Sequence, residues 1–327
     1  MLKTLNSLLF LFAAILFLSS CGKDNTSPQQ PTGDYIRLET MGLEVIPKRR
    51  EVQILFRATD YDHQGVSGLT VEDLEVYEND GSIDQEGDLT ITRDSIPFQL
   101  KTVLLLDLTR SVEGLVPQIK AACISMIEQK LDEQEIAIYT FAANTTRLQN
   151  FTSDRNALIT AINSIPETDL INSTNLYGAI EDMEGLWEDV YSIAGIEDGS
   201  LIVFTDGRHN ATPNITLDDA LRAIDGKKRF VAALNSPDLD EVSLQALAES
   251  KDRYFLAEDV NGLKNMFLQI QDEIQRSSNS IYYMYYQSPI TDPAPFDNTL
   301  RVEVNNNANK NRDSYLEETF NSVGFEL

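Results

Sequence analysis

The sequence predicts an α/β chain: a doubly wound, mostly parallel sheet inserted in a small β-sandwich made of N- and C-terminal strands. Three observations carry this. Between Lys101 and Ser277, short apolar runs alternate with amphipathic helical segments, the rhythm of a parallel sheet covered on both faces. Before that stretch, from Tyr35 to about Leu100, the pattern is short and strand-like. After Ser280 it returns to β, in strands that cannot easily join a parallel sheet.

The first residues stand outside the fold. Lys3 gives a small positive start, and Leu8 to Leu18 form an apolar stretch too short to span a bilayer comfortably. Leu18-Ser19-Ser20-Cys21-Gly22 then resembles the lipobox of bacterial lipoproteins, which implies a signal peptide over 1–20 and an acylated Cys21. Several acyl chains on one residue hold a protein firmly at a membrane. The residue after Cys21 is not Asp, which by resemblance to the usual sorting pattern points to the outer membrane of a bacterial cell envelope. Residues 21–34 read as a flexible tether, with Pro28, Pro31 and two adjacent glutamines.

Residues 35–100 supply the first part of a β-rich domain. Glu51 to Thr59 carries a partly alternating face, Asp60 to Gly68 is a turn-rich connection, and Leu74 to Glu78 alternates before the hairpin signal Asn79-Asp80-Gly81. Residues 101–277 are the α/β domain. A buried strand ends at Asp107, and Val112 to Leu131 is amphipathic with Pro117 in its first turns. Further on come a strand over Glu135–Ala142 and a helix over Asp154–Ile165 capped by Ser153 or Asp154. A helix over Leu176–Tyr191 and a buried strand over Ser200–Thr205 follow. Helices over Leu217–Ile224 and Leu239–Glu249 then alternate with strands over Arg229–Leu234 and Tyr254–Leu256, before a long last helix from about Val260 to Arg276. Residues 278–327 return to β, with Ile281 to Tyr286 rich in tyrosine and Leu300 to Val304 alternating; they are expected to complete the N-terminal sandwich.

Composition excludes several functions. A net charge of −26 argues against nucleic acid as a partner, since phosphate binding needs dense Lys and Arg. Two histidines, His63 and His209, are too few for a His-rich zinc site. Cys123 is the only cysteine besides Cys21, which rules out a disulfide framework; it lies in the apolar pattern Ile119, Cys123, Ile127 and reads as a small buried side chain.

The chemistry concentrates at strand ends. Val103-Leu104-Leu105-Leu106 runs into Asp107, Thr109 and Ser111 at alternate positions, and Leu201 to Thr205 runs into Asp206-Gly207. Between them Asn172-Ser173-Thr174-Asn175 opens into a helix. Ligands bind doubly wound folds at the carboxyl ends of strands. Carboxylates and hydroxyls are hard oxygen donors, suited to Mg²⁺, Mn²⁺ or Ca²⁺. This ensemble resembles the von Willebrand factor type A (VWA) domain and its metal-ion-dependent adhesion site (MIDAS), over roughly Lys101 to Ser277. The family pattern Asp-x-Ser-x-Ser, then Thr, then Asp-Gly falls on Asp107, Thr109, Ser111, Thr174 and Asp206, with Thr109 in place of the first Ser.

The resemblance implies that the hydroxyls of Thr109, Ser111 and Thr174 contact the ion while Asp107 and Asp206 supply charge, in part through water. It also implies a protein partner whose Asp or Glu completes the coordination, with no chemical step. Arg110 and Arg208 flank the two aspartates, as partner contacts or as solvent-facing charges; His209 is expected on the same rim without a role. Two other readings stand beside this one. One is a scaffold that meets partners through its sandwich, with Tyr282, Tyr283, Tyr285 and Tyr286 as a surface. The other is a Mg²⁺-dependent hydrolase, against which the chain has no Gly-x-Ser-x-Gly elbow and no Walker-type loop.

Overall fold

The computed structural model describes residues 34–83, 90–91, 96–211, 215–291 and 296–326. The signal peptide over 1–20, the lipidated Cys21 and the tether up to residue 33 lie outside the described residues.

In chain order the strands are β1 (Arg37–Ile46), β2 (Glu51–Thr59), β3 (Leu74–Glu78), β4 (Gly81–Ile83), β5 (Thr90–Ile91) and β6 (Phe98–Asp107). Helix α1 (Val116–Glu128), β7 (Gln134–Phe141), β8 (Thr145–Thr152), α2 (Arg155–Asn163), α3 (Leu176–Glu181), β9 (Val190–Ser192) and β10 (Gly195–Thr205) follow. The remainder is α4 (Leu217–Ala223), β11 (Lys228–Leu234), α5 (Glu241–Leu247), β12 (Tyr254–Ala257), α6 (Leu263–Asn279), β13 (Ile281–Gln287), β14 (Asp297–Val304) and β15 (Tyr315–Asn321).

The central sheet runs β12-β11-β10-β6-β7-β8, with β9 paired to β10. β12, β11, β10, β6 and β7 are mutually parallel, and β8 and β9 are antiparallel additions. The unbroken apolar run in β6 is explained by burial on both faces. Leu104 and Leu106 pack with α1, α2 and α6 through Ile119, Ile162 and Phe267, while Val103 and Leu105 pack with α3, α4 and α5 through Ile180, Ala220 and Leu244. Cys123 is buried in the first of these layers, as expected.

Two antiparallel four-stranded sheets flank this body. One has the order β1-β2-β13-β5 and the other β15-β14-β3-β4, so each combines strands from both ends of the chain. Their facing sides share one core, with Ile54, Phe56, Val76, Met284, Tyr286 and Val302. The Asn79-Asp80 turn joins β3 to β4 with both residues at positive φ (49° and 65°), as a tight primed hairpin requires.

The outer side of the first sheet packs on the central body. Leu55, Ile281 and Tyr283 meet Ile196, with Tyr191 and Phe98 at the edge. Polar contacts reinforce that junction. The fully buried Asp198 accepts hydrogen bonds from Lys228 Nζ (2.9 Å) and from the Tyr191 hydroxyl (2.6 Å), and the Arg57 guanidinium of β2 lies over the Tyr191 ring. Burial pushes the Asp198 carboxyl up, but Lys228, Tyr191 and Arg57 together outweigh it and hold the group below the usual carboxylate range.

Four expectations are corrected. The helix expected from Val112 starts as a 3₁₀ segment (Arg110–Leu115) and becomes α-helical only at Val116. An α-helix begun at Val112 would drive the Pro117 ring against the carbonyl of Glu113; at the start of α1 the proline is harmless. The helix expected over Leu176–Tyr191 stops at Glu181, because Gly185 takes a left-handed conformation (φ 69°) and Val190–Ser192 pair with β10. β8 and β15 were not anticipated; β8 is an edge strand with most residues half-exposed and so lacks a clean alternation. Finally, the tyrosines of β13 do not form a surface. Tyr282 and Tyr286 lie in the sandwich core, Tyr283 is buried in the junction and Tyr285 is partly buried beside it. Among the described residues, no helix is long and apolar enough to cross a membrane.

Candidate metal centre

β6 and β10 are neighbours in the central sheet, with Phe204 opposite Leu106, so both deliver a carboxylate to the same sheet edge. Asp107 is fully buried. Its Oδ1 accepts the Thr109 backbone N–H (3.0 Å) and the Thr109 hydroxyl (2.7 Å), and its Oδ2 accepts the Thr205 hydroxyl (2.6 Å). Asp206 Oδ1 accepts the Ser111 hydroxyl at 2.8 Å. The Thr109 and Ser111 oxygens are 3.0 Å apart. Ser111 is exposed whereas Thr109 and Asp206 are buried, so the cluster opens to solvent through Ser111.

Electrostatics set the site apart from an ordinary capped loop. Burial pushes the Asp107 carboxyl up to about 6; hydrogen bonds from Thr205 and Thr109 oppose this, and the Asp206 charge adds to it. Asp206 is raised as well, by burial and by Asp238, with the Ser111 hydrogen bond opposing. Two carboxylates at one buried edge repel each other, and a cation relieves that repulsion.

Each hydroxyl has one proton, and Thr109 directs its proton at Asp107 and Ser111 at Asp206. Two carboxylates and two hydroxyls are hard oxygen donors, the set that divalent cations take.

Thr174 reaches this edge by a different route. Its loop is tied to the first by the Thr109–Ile171 bridge and the Arg110 N–H to Ile171 carbonyl bond (2.9 Å). It is tied to the second by Asn210, whose side chain accepts the Thr174 N–H (2.8 Å) and whose N–H donates to the Thr174 carbonyl (2.9 Å). The Thr174 side chain is buried and joins none of the hydrogen bonds linking Asp107, Thr109, Ser111 and Asp206. Four of the five expected residues are thus joined directly, and Thr174 is tied by its backbone to Asn210, on the loop that follows Asp206. Among the described residues there is no group of three or more His, Cys, Asp or Glu side chains that could hold a metal.

Sequence reasoning missed Thr205, Ser236 and Asn210. Thr205 immediately precedes Asp206 on a buried strand, a signal that was available. Ser236 donates to the Asp206 carbonyl from the loop after β11, a contact made only by the fold. His209 sits on the rim as expected but has a packing role. Its ring stacks on Tyr177 (4.4 Å between centroids), and its Nδ1 accepts the Tyr177 N–H (3.4 Å). Arg110 and Arg208 are exposed.

The model of the von Willebrand factor type A domain matches residues 102–269, just over half of the 327-residue chain. The chain belongs to this family. The matched segment starts within β6 and ends within α6, so the VWA domain is the central body and contains both aspartates. Among solved structures, a von Willebrand factor type A protein from Catenulispora acidiphila is similar at 11% identity and a TM-score of 0.46, covering 91% of this chain and 75% of that one. BatB from Bacteroides thetaiotaomicron is similar at 16% identity and a TM-score of 0.44, covering 55% of this chain and 100% of that one. Proximal thread matrix protein 1 from the mussel byssus, solved with a zinc-occupied MIDAS motif, is similar at 15% identity and a TM-score of 0.46. That match covers 60% of this chain and 49% of the mussel protein, about half its length. A comparison with curated protein sequences returns no match.

Proposed function

We propose that this protein is a lipid-anchored component of a bacterial envelope, held through Cys21, that captures a partner protein through a divalent ion at the VWA edge. Thr109, Ser111 and Thr174 would hold the ion by their hydroxyls, and Asp107 and Asp206 would balance its charge. Mg²⁺ is the expected ion, with Mn²⁺ close to it in size. When bound, the ion supplies an open coordination position for an Asp or Glu carboxylate of the partner. The protein residues orient and neutralise; no bond is made or broken.

One observation carries the reading: the hydrogen-bonded run Asp107, Thr109, Ser111, Asp206, which gathers two carboxylates and two hydroxyls at one sheet edge. Calorimetric titration of Mg²⁺ and Mn²⁺ into the wild type and Asp107→Ala tests it. Heats are expected for the wild type alone; equal or absent heats for both proteins would sink the metal reading. Anchoring is tested apart from this, by membrane fractionation of the full chain and of Cys21→Ala.

The domain organisation we propose is a discontinuous β-domain, 35–100 with 278–327, into which 101–277 is inserted. Limited proteolysis that released the N-terminal strands as a stable fragment without the C-terminal ones would contradict it.

A further inference from the structure

Thr205 ends β10 one residue before Asp206, and its side chain is fully buried. Its hydroxyl makes two bonds at once. It donates to Asp107 Oδ2 at 2.6 Å and accepts the backbone N–H of Gly207 at 3.2 Å. The run from the Gly207 N–H through the Thr205 hydroxyl to Asp107 therefore joins the exit of β10, on both sides of Asp206, to the carboxylate that ends β6.

The same two strands show how a buried hydroxyl is satisfied without a charge. Thr102 and Ser200 lie opposite each other midway along β6 and β10, and their side-chain oxygens stand 3.3 Å apart. At the strand ends Thr205 instead meets a carboxylate, at the short distance typical of a hydroxyl on an ionised acceptor.

That bond divides the work of the Asp107 oxygens. Oδ1 takes the Thr109 N–H and hydroxyl, while among the described residues Oδ2 takes only Thr205. The terminal torsion of an Asp side chain is broad, so a donor on each oxygen is what fixes the plane of the carboxylate. Removing the donor on Oδ2 has two opposite effects on ion binding: it frees charge, and it releases the orientation. The freed charge sits on Oδ2, not on the oxygen that meets Thr109, so the loss of orientation is the larger effect.

We propose that Thr205 is a positioning residue of the metal site: it holds the Asp107 carboxylate so that Oδ1 faces the Thr109 hydroxyl. This rests on the metal reading above and adds to it a residue that acts through Asp107. Hydrogen-bond partners that orient the groups around a metal are worth about ten- to a hundredfold in affinity.

Thr205→Ser and Thr205→Ala differ by the hydroxyl alone. Mg²⁺ is titrated calorimetrically into the wild type and both variants, and each metal-free protein is unfolded in urea with the emission of Trp187 as the probe. Thr205→Ala is expected to bind Mg²⁺ about ten- to a hundredfold more weakly than Thr205→Ser, while Thr205→Ser stays close to the wild type. A hydroxyl that served the fold alone would lower the urea stability of Thr205→Ala and leave its Mg²⁺ affinity equal to that of Thr205→Ser, which overturns the proposal. Tighter Mg²⁺ binding by Thr205→Ala, the result of a hydroxyl that only competes with the ion for Asp107, overturns it as well. If Thr205→Ala does not fold, Thr205→Val, which also lacks the hydroxyl, is compared with Thr205→Ser in the same way. The wild-type heat separates the two readings. If it is present and the variants bind alike, only this inference fails; if it is absent, the metal reading fails and this one with it.

Discussion

Mg²⁺ affinity should depend steeply on pH below about 6, and Asp107 should be the cause. In the folded, metal-free protein its carboxyl is raised from 3.8 to about 6, chiefly by burial, which corresponds to about 3 kcal/mol favouring the protonated side chain. Because the folded pKa lies above the unfolded one, the native state binds more protons than the unfolded state between about pH 4 and 6. Stability of the metal-free protein from this group therefore falls as pH rises through that window, and the loss is complete above it. An ion reverses the balance, since it needs the ionised carboxylate. Apparent Mg²⁺ affinity should be flat near pH 8 and fall by up to about tenfold per pH unit below 6. Calorimetry in two buffers of different ionisation enthalpy reads this directly: close to one proton released per Mg²⁺ at pH 5, and close to none at pH 8. Asp107→Asn should remove the wild-type excess of proton release. An affinity constant from pH 5 to 8, or proton release unchanged in Asp107→Asn, would refute the assignment of Asp107 as the buried charge of the metal site.

Other outcomes follow from the same geometry. Thr109→Ser should keep or strengthen Mg²⁺ binding, because it retains the hydroxyl and removes a methyl group from a buried position, whereas Thr109→Val should abolish it; calorimetry separates the two. Asn210→Ala removes the acceptor of the Thr174 N–H and should cost about 1–3 kcal/mol, much of it as weaker metal binding, read by comparing Mg²⁺ affinity with urea unfolding. Gly199→Ala would place a methyl 2.0 Å from the Trp187 ring and should cost about 1–3 kcal/mol. Trp187 is the only tryptophan, so its emission reports the displacement. Lys228→Met leaves Asp198 buried without its cation and should destabilise by about 3–5 kcal/mol in urea unfolding; a smaller loss would mean that Tyr191 and Arg57 suffice to hold that charge.

Legibility followed burial. β6 and β10 lie between two helical layers, so nearly every side chain must be apolar, and Val103–Leu106 and Leu201–Phe204 announce themselves. β8 is half-exposed at the edge of its sheet, and nothing in Thr145–Thr152 is compelled to be apolar. The long helix read from Leu176 failed because its apolar residues serve two elements. Leu176 to Ile180 pack as a helix, while Trp187 covers Gly199 from the irregular segment before β9. The site was readable where its residues follow strands directly. It was not readable where distant loops close on it, as Ser236 does at Asp206 and Asn210 at Thr174.

Sequence alone determined that two buried strands end in carboxylates, that hydroxyls follow the first of them, and that β-strands from both ends of the chain must find each other. These are local facts: period, burial on two faces and the chemistry of the residue where a strand stops. Tertiary structure decided that β6 and β10 are neighbours, which turns two separate aspartates into one repelling pair. It also decided that Thr109 and Ser111 bond to different carboxylates, and that Thr174 is held by Asn210. Those relations depend on which strand pairs with which and on how loops 60 to 100 residues apart meet, as Arg110 meets Leu170 and Ser111 meets Asp206.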